Sequence, residues 1–140
     1  MTRKIFSSSI AALGLLLAAA PLAAHHAFAA EFDAEKPVTL HGTVTKVEWT
    51  NPHTWIHVDV KGEDGQMTPW KVEAGAPNAL LRRGFTKSYL PPGSEIVVQG
   101  FRAKDGSNRA NGSNITYPDG KKLFLGSSGT GAPVDPGPGK

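Results

Sequence analysis

The stretch that most constrains this chain is Val47-Glu48-Trp49-Thr50-Asn51-Pro52-His53-Thr54-Trp55-Ile56-His57-Val58-Asp59-Val60. Asn51-Pro52 is a turn signal, because proline fixes its own φ and drives the preceding residue out of the helical region. Beyond the turn, Ile56, Val58 and Val60 alternate with Trp55, His57 and Asp59. Successive side chains of a strand point to opposite faces. The pattern therefore predicts a strand with one aliphatic face and one face carrying an indole, an imidazole and a carboxylate. The first face requires a core, and the second is where binding chemistry has to be sought.

Extended along the chain, the same reading gives an all-β domain with one short helix. Residues 38–49 form the first strand. Val38, Leu40, Gly42 and Val44 share one parity and Val47 and Trp49 the other, which places a bulge near Thr45-Lys46. Residues 53–61 are the second strand, and Gly62-Glu63-Asp64-Gly65 is a hairpin loop. Residues 67–74 are the third, with Trp70, Val72 and Ala74 on the core face and Lys71 and Glu73 on the other. Pro77 opens a helix that turns Leu80 and Leu81 inward and closes at Gly84. Residues 94–102 are the fourth strand, with Ile96, Val98 and Gly100 inward. Residues 104–111 are a polar loop, residues 113–117 the fifth strand, and residues 122–125 a last short strand.

Three strands, a helix and two strands is the order of an OB-fold, so the expected architecture is an OB-fold-like five-stranded barrel. A single helix at that position counts against a lipocalin-like or sandwich arrangement. The expected core is Val38, Leu40, Val44, Val47, Ile56, Val58, Val60, Trp70, Val72, Leu80, Ile96 and Val98.

The ends of the chain have a different character. Residues 1–24 read as a signal peptide, with Arg3 and Lys4 ahead of an apolar run from Ile10 to Leu22. The run is too short for a stable membrane span. The expected location is the periplasm. Cleavage after Ala24 makes His25 the new N-terminus, whereas cleavage after Ala29 removes His25 and His26. The first is preferred, because polar histidines should end the apolar region. The domain then covers residues 25–125. Residues 126–140 are mostly Gly, Pro and Ser without apolar periodicity, the composition of a disordered tail.

Composition narrows the function classes. Without Arg3 and Lys4, thirteen basic residues stand against twelve acids, a charge close to +1. That is no footprint for nucleic acid. The absence of cysteine excludes disulfides, thiolate zinc sites, c-type haem attachment and a cysteine nucleophile. No Gly-rich phosphate loop, Gly-x-Ser-x-Gly or His-Glu-x-x-His is present. A monomeric, non-enzymatic protein that binds a small ligand or a periplasmic protein is the expectation.

The segments His25-His26-Ala27-Phe28-Ala29-Ala30-Glu31-Phe32-Asp33, Gly42-Thr43-Val44, Val47 to His53 and Arg102-Ala103-Lys104-Asp105-Gly106-Ser107 carry a resemblance. Over about residues 25–125 the chain resembles a family of small secreted proteins of Gram-negative bacteria, a domain of unknown function. The resemblance implies an exported domain and assigns no catalytic residue.

Two groups of residues are candidates for binding. His25 and His26, at a free N-terminus, offer an amine and imidazole nitrogens that suit Cu(II). His53 and His57 share a face but lie roughly 13 Å apart along a strand. They need a partner to hold one ion, and His41 on the neighbouring strand is the candidate. The blander reading makes His53 and His57 exposed imidazoles beside Trp55. The second group is Trp55, His57, Lys71 and Glu73 on the outer face of strands two and three, fit for a protein or glycan partner. Against it stands an ordinary sheet exterior in which Lys71 and Glu73 simply pair.

Overall fold

The alternation after Asn51-Pro52 sets the geometry around it. In β2 (Thr54–Lys61), Thr54, Ile56 and Val58 are buried while Trp55, His57 and Asp59 stay half-buried on the other side. The computed structural model describes residues 28–126. After a helical turn at residues 28–31 come β1 (Phe32–Glu48), β2, β3 (Met67–Ala74) and the short helix α1 (Pro77–Arg82). A 3-10 turn (Lys87–Tyr89), β4 (Glu95–Ala103), β5 (Arg109–Thr116) and β6 (Lys122–Phe124) complete the fold. The expected signal peptide, His25 and His26, and the tail beyond Gly126 lie outside the described residues. Among those residues, no helix is long and apolar enough to cross a membrane.

One sheet contains all six strands in the order β3-β2-β1-β4-β5-β6. Neighbours in that order are antiparallel. β3 also pairs with β5 in parallel, through Lys71↔Arg109, Val72↔Ala110 and Glu73↔Asn111. β1 is long because it serves two partners. Its middle, from Pro37 to Thr43, pairs with β4, and its end, from Gly42 to Glu48, pairs with β2. The register slips between Val44 and Lys46, so Thr45 is the extra residue of a bulge where the parity of the sequence changes.

Of the expected core, Leu40, Val44, Ile56, Val58, Val72, Leu80, Ile96 and Val98 are buried. Val38, Val47, Val60 and Trp70 are partly buried against them. Phe85, Leu90, Ala110, Ile115 and Leu125 complete the cluster. Leu81 corrects the expectation for the helix, being exposed while Leu80 is fully buried. Consecutive helical residues point about 100° apart, and α1 meets the core with one side only.

The fifth strand starts at Arg109, ahead of the expected residue 113. Ala110-Asn111-Gly112-Ser113-Asn114 has no apolar alternation to announce a strand. It becomes one because β3 and β4 supply hydrogen-bonding partners on both sides. The small residues are needed for the approach. A Cβ on Gly100 would lie 2.2 Å from the Asn111 carbonyl oxygen, and one on Gly112 would lie 2.7 Å from Val72 Cγ1.

A second, separate apolar cluster joins Phe28, Phe32, Phe101 and Ala103. The Phe28 ring stacks on Phe32 at 5.9 Å and meets Phe101 edge-on at 5.7 Å. Phe28 and Phe32 therefore anchor the helical turn and the start of β1 against β4.

At the far end of β5, Tyr117 Oη donates to the Tyr89 carbonyl at 2.6 Å, tying the strand to the 3-10 turn. Burial, with Tyr89 and Asp119 nearby, pushes the phenol up to about 12. Tyr117→Phe removes this donor and leaves a half-buried carbonyl unpaired. The expected loss is about 1 kcal/mol, read as a lower urea midpoint with unchanged m-value.

Candidate functional site

Sheet register gathers the polar chemistry around Trp55. Glu48 of β1 is its partner on one side and Glu73 of β3 its partner on the other. His53 and His57 lie two residues before and after it. His53 Nδ1 is 2.7 Å from Glu73 Oε1. His57 Nε2 is 3.4 Å from Glu48 Oε2. Each imidazole thus meets a carboxylate on the diagonal, the reach that neighbouring strands allow long side chains. Lys71 Nζ sits 4.4 Å from the centre of the Trp55 ring, a cation–π contact.

The two His–Glu contacts are electrically unlike. Glu48 is at the surface, where hydrogen bonds from Lys46 and then His57 hold its carboxyl below the ordinary range. Glu73 is only 6% exposed. Burial pushes its carboxyl up to about 7; Glu31 adds to the rise and Arg109 opposes it. Burial lowers the His53 imidazole, partly offset by Glu31. Burial disfavours the charged form of both partners. The 2.7 Å contact is therefore biased toward its uncharged form, a carboxylic acid beside a neutral imidazole.

Glu31 and Arg109 form the rim of this buried end. Arg109 Nη1 donates to Glu31 Oε2 at 3.2 Å, and Nη2 donates to Asp105 Oδ2 at 3.3 Å. The guanidinium also lies 6.0 Å from the Phe32 ring centre. The loop before β5 is held by its own bonds. Ser107 N donates to Asp105 Oδ1 at 2.9 Å, and Arg102 Nη2 donates to the Gly106 carbonyl at 3.0 Å.

Several site expectations change. Glu73 has the expected parity, yet it is buried rather than displayed beside Trp55, His57 and Lys71. The β3–β5 pairing covers that end of the strand, a contact between segments far apart in sequence. His41 is not a partner for His53 or His57. Its register partner is Val97, whereas His57 pairs with Lys46, five positions further along β1. His41 instead lines an open groove of about 380 Å³ with Asp59, Lys61, Glu95 and Tyr117. Among the described residues no group of three His, Asp or Glu side chains is placed to hold a metal ion. Sequence reasoning did not connect Glu31 and Arg109 with Glu73, because only pairing between strands far apart in the chain brings them near it.

Fold and site together define a small, mostly β protein whose polar chemistry is concentrated on β2 and β3. The chain belongs to a family of unknown function (DUF6152), whose model matches residues 12–113. A comparison with curated proteins finds no match.

Proposed function

We propose that this is an exported, monomeric periplasmic binding protein without catalytic activity, which takes up Cu(II) through His25 and His26. The scaffold is read as an OB-like five-stranded barrel. The strand order, the parallel β3–β5 pairing and the position of α1 support that reading. The leader-like residues 1–24 support export.

The observation that carries the copper reading is the anchoring of Phe28 at 6% exposure in the second cluster. His25 and His26 precede it by three and two positions in the chain. An amine with imidazole nitrogens favours Cu(II) over other divalent first-row ions.

The test uses processed protein recovered from the periplasm, with intact mass locating its first residue. Titration with Cu(II), read by visible absorbance, should show one tight site. That site should weaken below roughly pH 6, because imidazole must lose its proton to ligate. His25→Ala/His26→Ala should remove most of the binding. A mature chain starting at Ala30, or unchanged affinity in the double variant, overturns the reading.

One observation favours a second reading. Lys71 packed on Trp55, with His57 half-buried beside them, forms a preorganised aromatic and cationic face for a glycan or a protein. Glu73, being buried, is not part of that face. A glycan-binding screen with Trp55→Ala as control tests it.

A further inference from the structure

We propose that the open groove across β2, β1, β4 and β5 binds a short peptide with both termini free, a dipeptide in the simplest case. This is a second site, and it does not depend on the copper reading. Register places the polar groups of the groove in two rungs. In the first, Thr43 of β1 pairs with Asp59 of β2 on one side and with Glu95 of β4 on the other. In the second, His41 pairs with Val97, and Val97 pairs with Thr116 of β5. Lys61 closes that rung at the β2 end, one position beyond the pair Gly42↔Val60. Leu40, Val58, Ile96 and Val98 have the opposite parity and are buried. Both rungs therefore stand on the outer face of the sheet, and their residues line the groove.

The charges of the groove are unmatched within the protein. Among the described residues, Asp59, Glu95 and Lys61 form no ion pair, whereas Lys36, Lys46 and Arg109 all do. Opposite charges that share a groove and leave each other unpaired are the complement of a ligand carrying both signs.

The spacing of the rungs sets the length of that ligand. Asp59 and Glu95 flank Thr43, with their Cα atoms roughly 10 Å apart across the middle strand. An ammonium over Thr43 lies between the two carboxylates, with the Thr43 hydroxyl as a third acceptor. Lys61 and the His41 imidazole stand one rung away, about 7 Å along the strands. A two-residue chain also spans about 7 Å. Its carboxylate then meets Lys61 while its ammonium sits between the acids. Val97 in the floor, with Met67 and Pro118 at the flanks, offers apolar surface to the side chains. A volume of about 380 Å³ suits a small ligand better than a folded partner. A diamine would satisfy the acids and leave Lys61 facing a cation, and a dicarboxylate would do the reverse.

The experiment titrates metal-free protein recovered from cells with alanyl-leucine, by isothermal titration calorimetry. N-acetyl-alanyl-leucine, alanyl-leucine amide and putrescine are titrated beside it. Metal is removed because a dipeptide, with its amine and amide nitrogens, is itself a copper ligand. The free dipeptide should bind at a single site, and the backbone amide resonances of Thr43 and Val97 should shift on binding. Blocking either terminus should lower affinity at least about tenfold. Lys61→Gln should erase the preference for the free carboxylate and keep that for the free amine. Asp59→Asn/Glu95→Gln should do the converse. Circular dichroism confirms that each variant is folded, and the selectivity of the wild type needs no variant at all. No binding at millimolar dipeptide, equal affinity for the blocked peptides, or putrescine bound as tightly overturns the proposal. So do resonance shifts centred on Trp55 instead of Thr43. Both preferences lost together in the Lys61 variant overturn the assignment of the two termini. The copper titration of the N-terminal variants is a separate measurement, so either reading can fail without the other.

Discussion

Val58→Asp is expected to abolish cooperative unfolding, the largest effect of any substitution considered for this chain. Val58 is 1% exposed and lies between Val44 of β1 and Trp70 of β3. Its side chain belongs to the main cluster with Ile56, Val72 and Val98. An aspartate there either ionises without a partner or binds a proton and still lacks hydrogen bonds. The cost is at least several kcal/mol, against a total stability of about 5–15 kcal/mol for an ordinary domain. Its neighbour Asp59 is half-buried on the opposite face. Asp59→Asn should stay within about 0.5 kcal/mol of wild type. Near-ultraviolet circular dichroism during a thermal scan separates the two. Equal, mild changes would show that the strand presents its faces the other way round.

Glu73→Gln is expected to act in the opposite direction, raising stability at alkaline pH. The folded carboxyl is raised from 4.5 to about 7, first by burial and then by Glu31, with Arg109 opposing. Between those limits the folded state holds a proton that the unfolded chain has released. Unfolding then releases that proton, so stability falls as pH rises through this window and levels off above about 7. The span corresponds to about 3 kcal/mol. His53 works the other way, because its lowered imidazole makes the fold lose stability as pH drops below 6.5. Glutamine retains the shape of Glu73 and cannot ionise. The stability gain over wild type should grow from pH 4.5 to about 7 and then stay constant. Urea midpoints of metal-free protein across that range provide the measurement. A gain that does not depend on pH would show that Glu73 is not held neutral in the fold.

The parts legible in the sequence are those governed by neighbours along the chain. The parity change at Thr45, the alternation of Ile56 and Val58, the limits of β3 and the proline start of α1 are all local signals, and each has its counterpart in the fold. The start of β5 was hidden because Asn111, Gly112 and Ser113 are extended by partners on two other strands. The burial of Glu73 was hidden for the same reason. Parity says which face a side chain takes, while burial depends on what crosses that face. The His53–Glu73 contact links a turn residue to the end of the next strand, and only pairing register brings them together.

The β3–β5 joint gives the molecule a seam. Three residue pairs hold it, against eight between β2 and β3. Local opening begins where few backbone bonds must break together, so this joint, like the equally short β5–β6 pairing, opens more readily than the β2–β3 pair. Glu73 lies on that seam, opposite Asn111. A ligand gripped at this place acts as a staple across two strands far apart in sequence. Its binding energy then appears as reduced breathing of the whole sheet, and ligand occupancy and mechanical closure become one equilibrium.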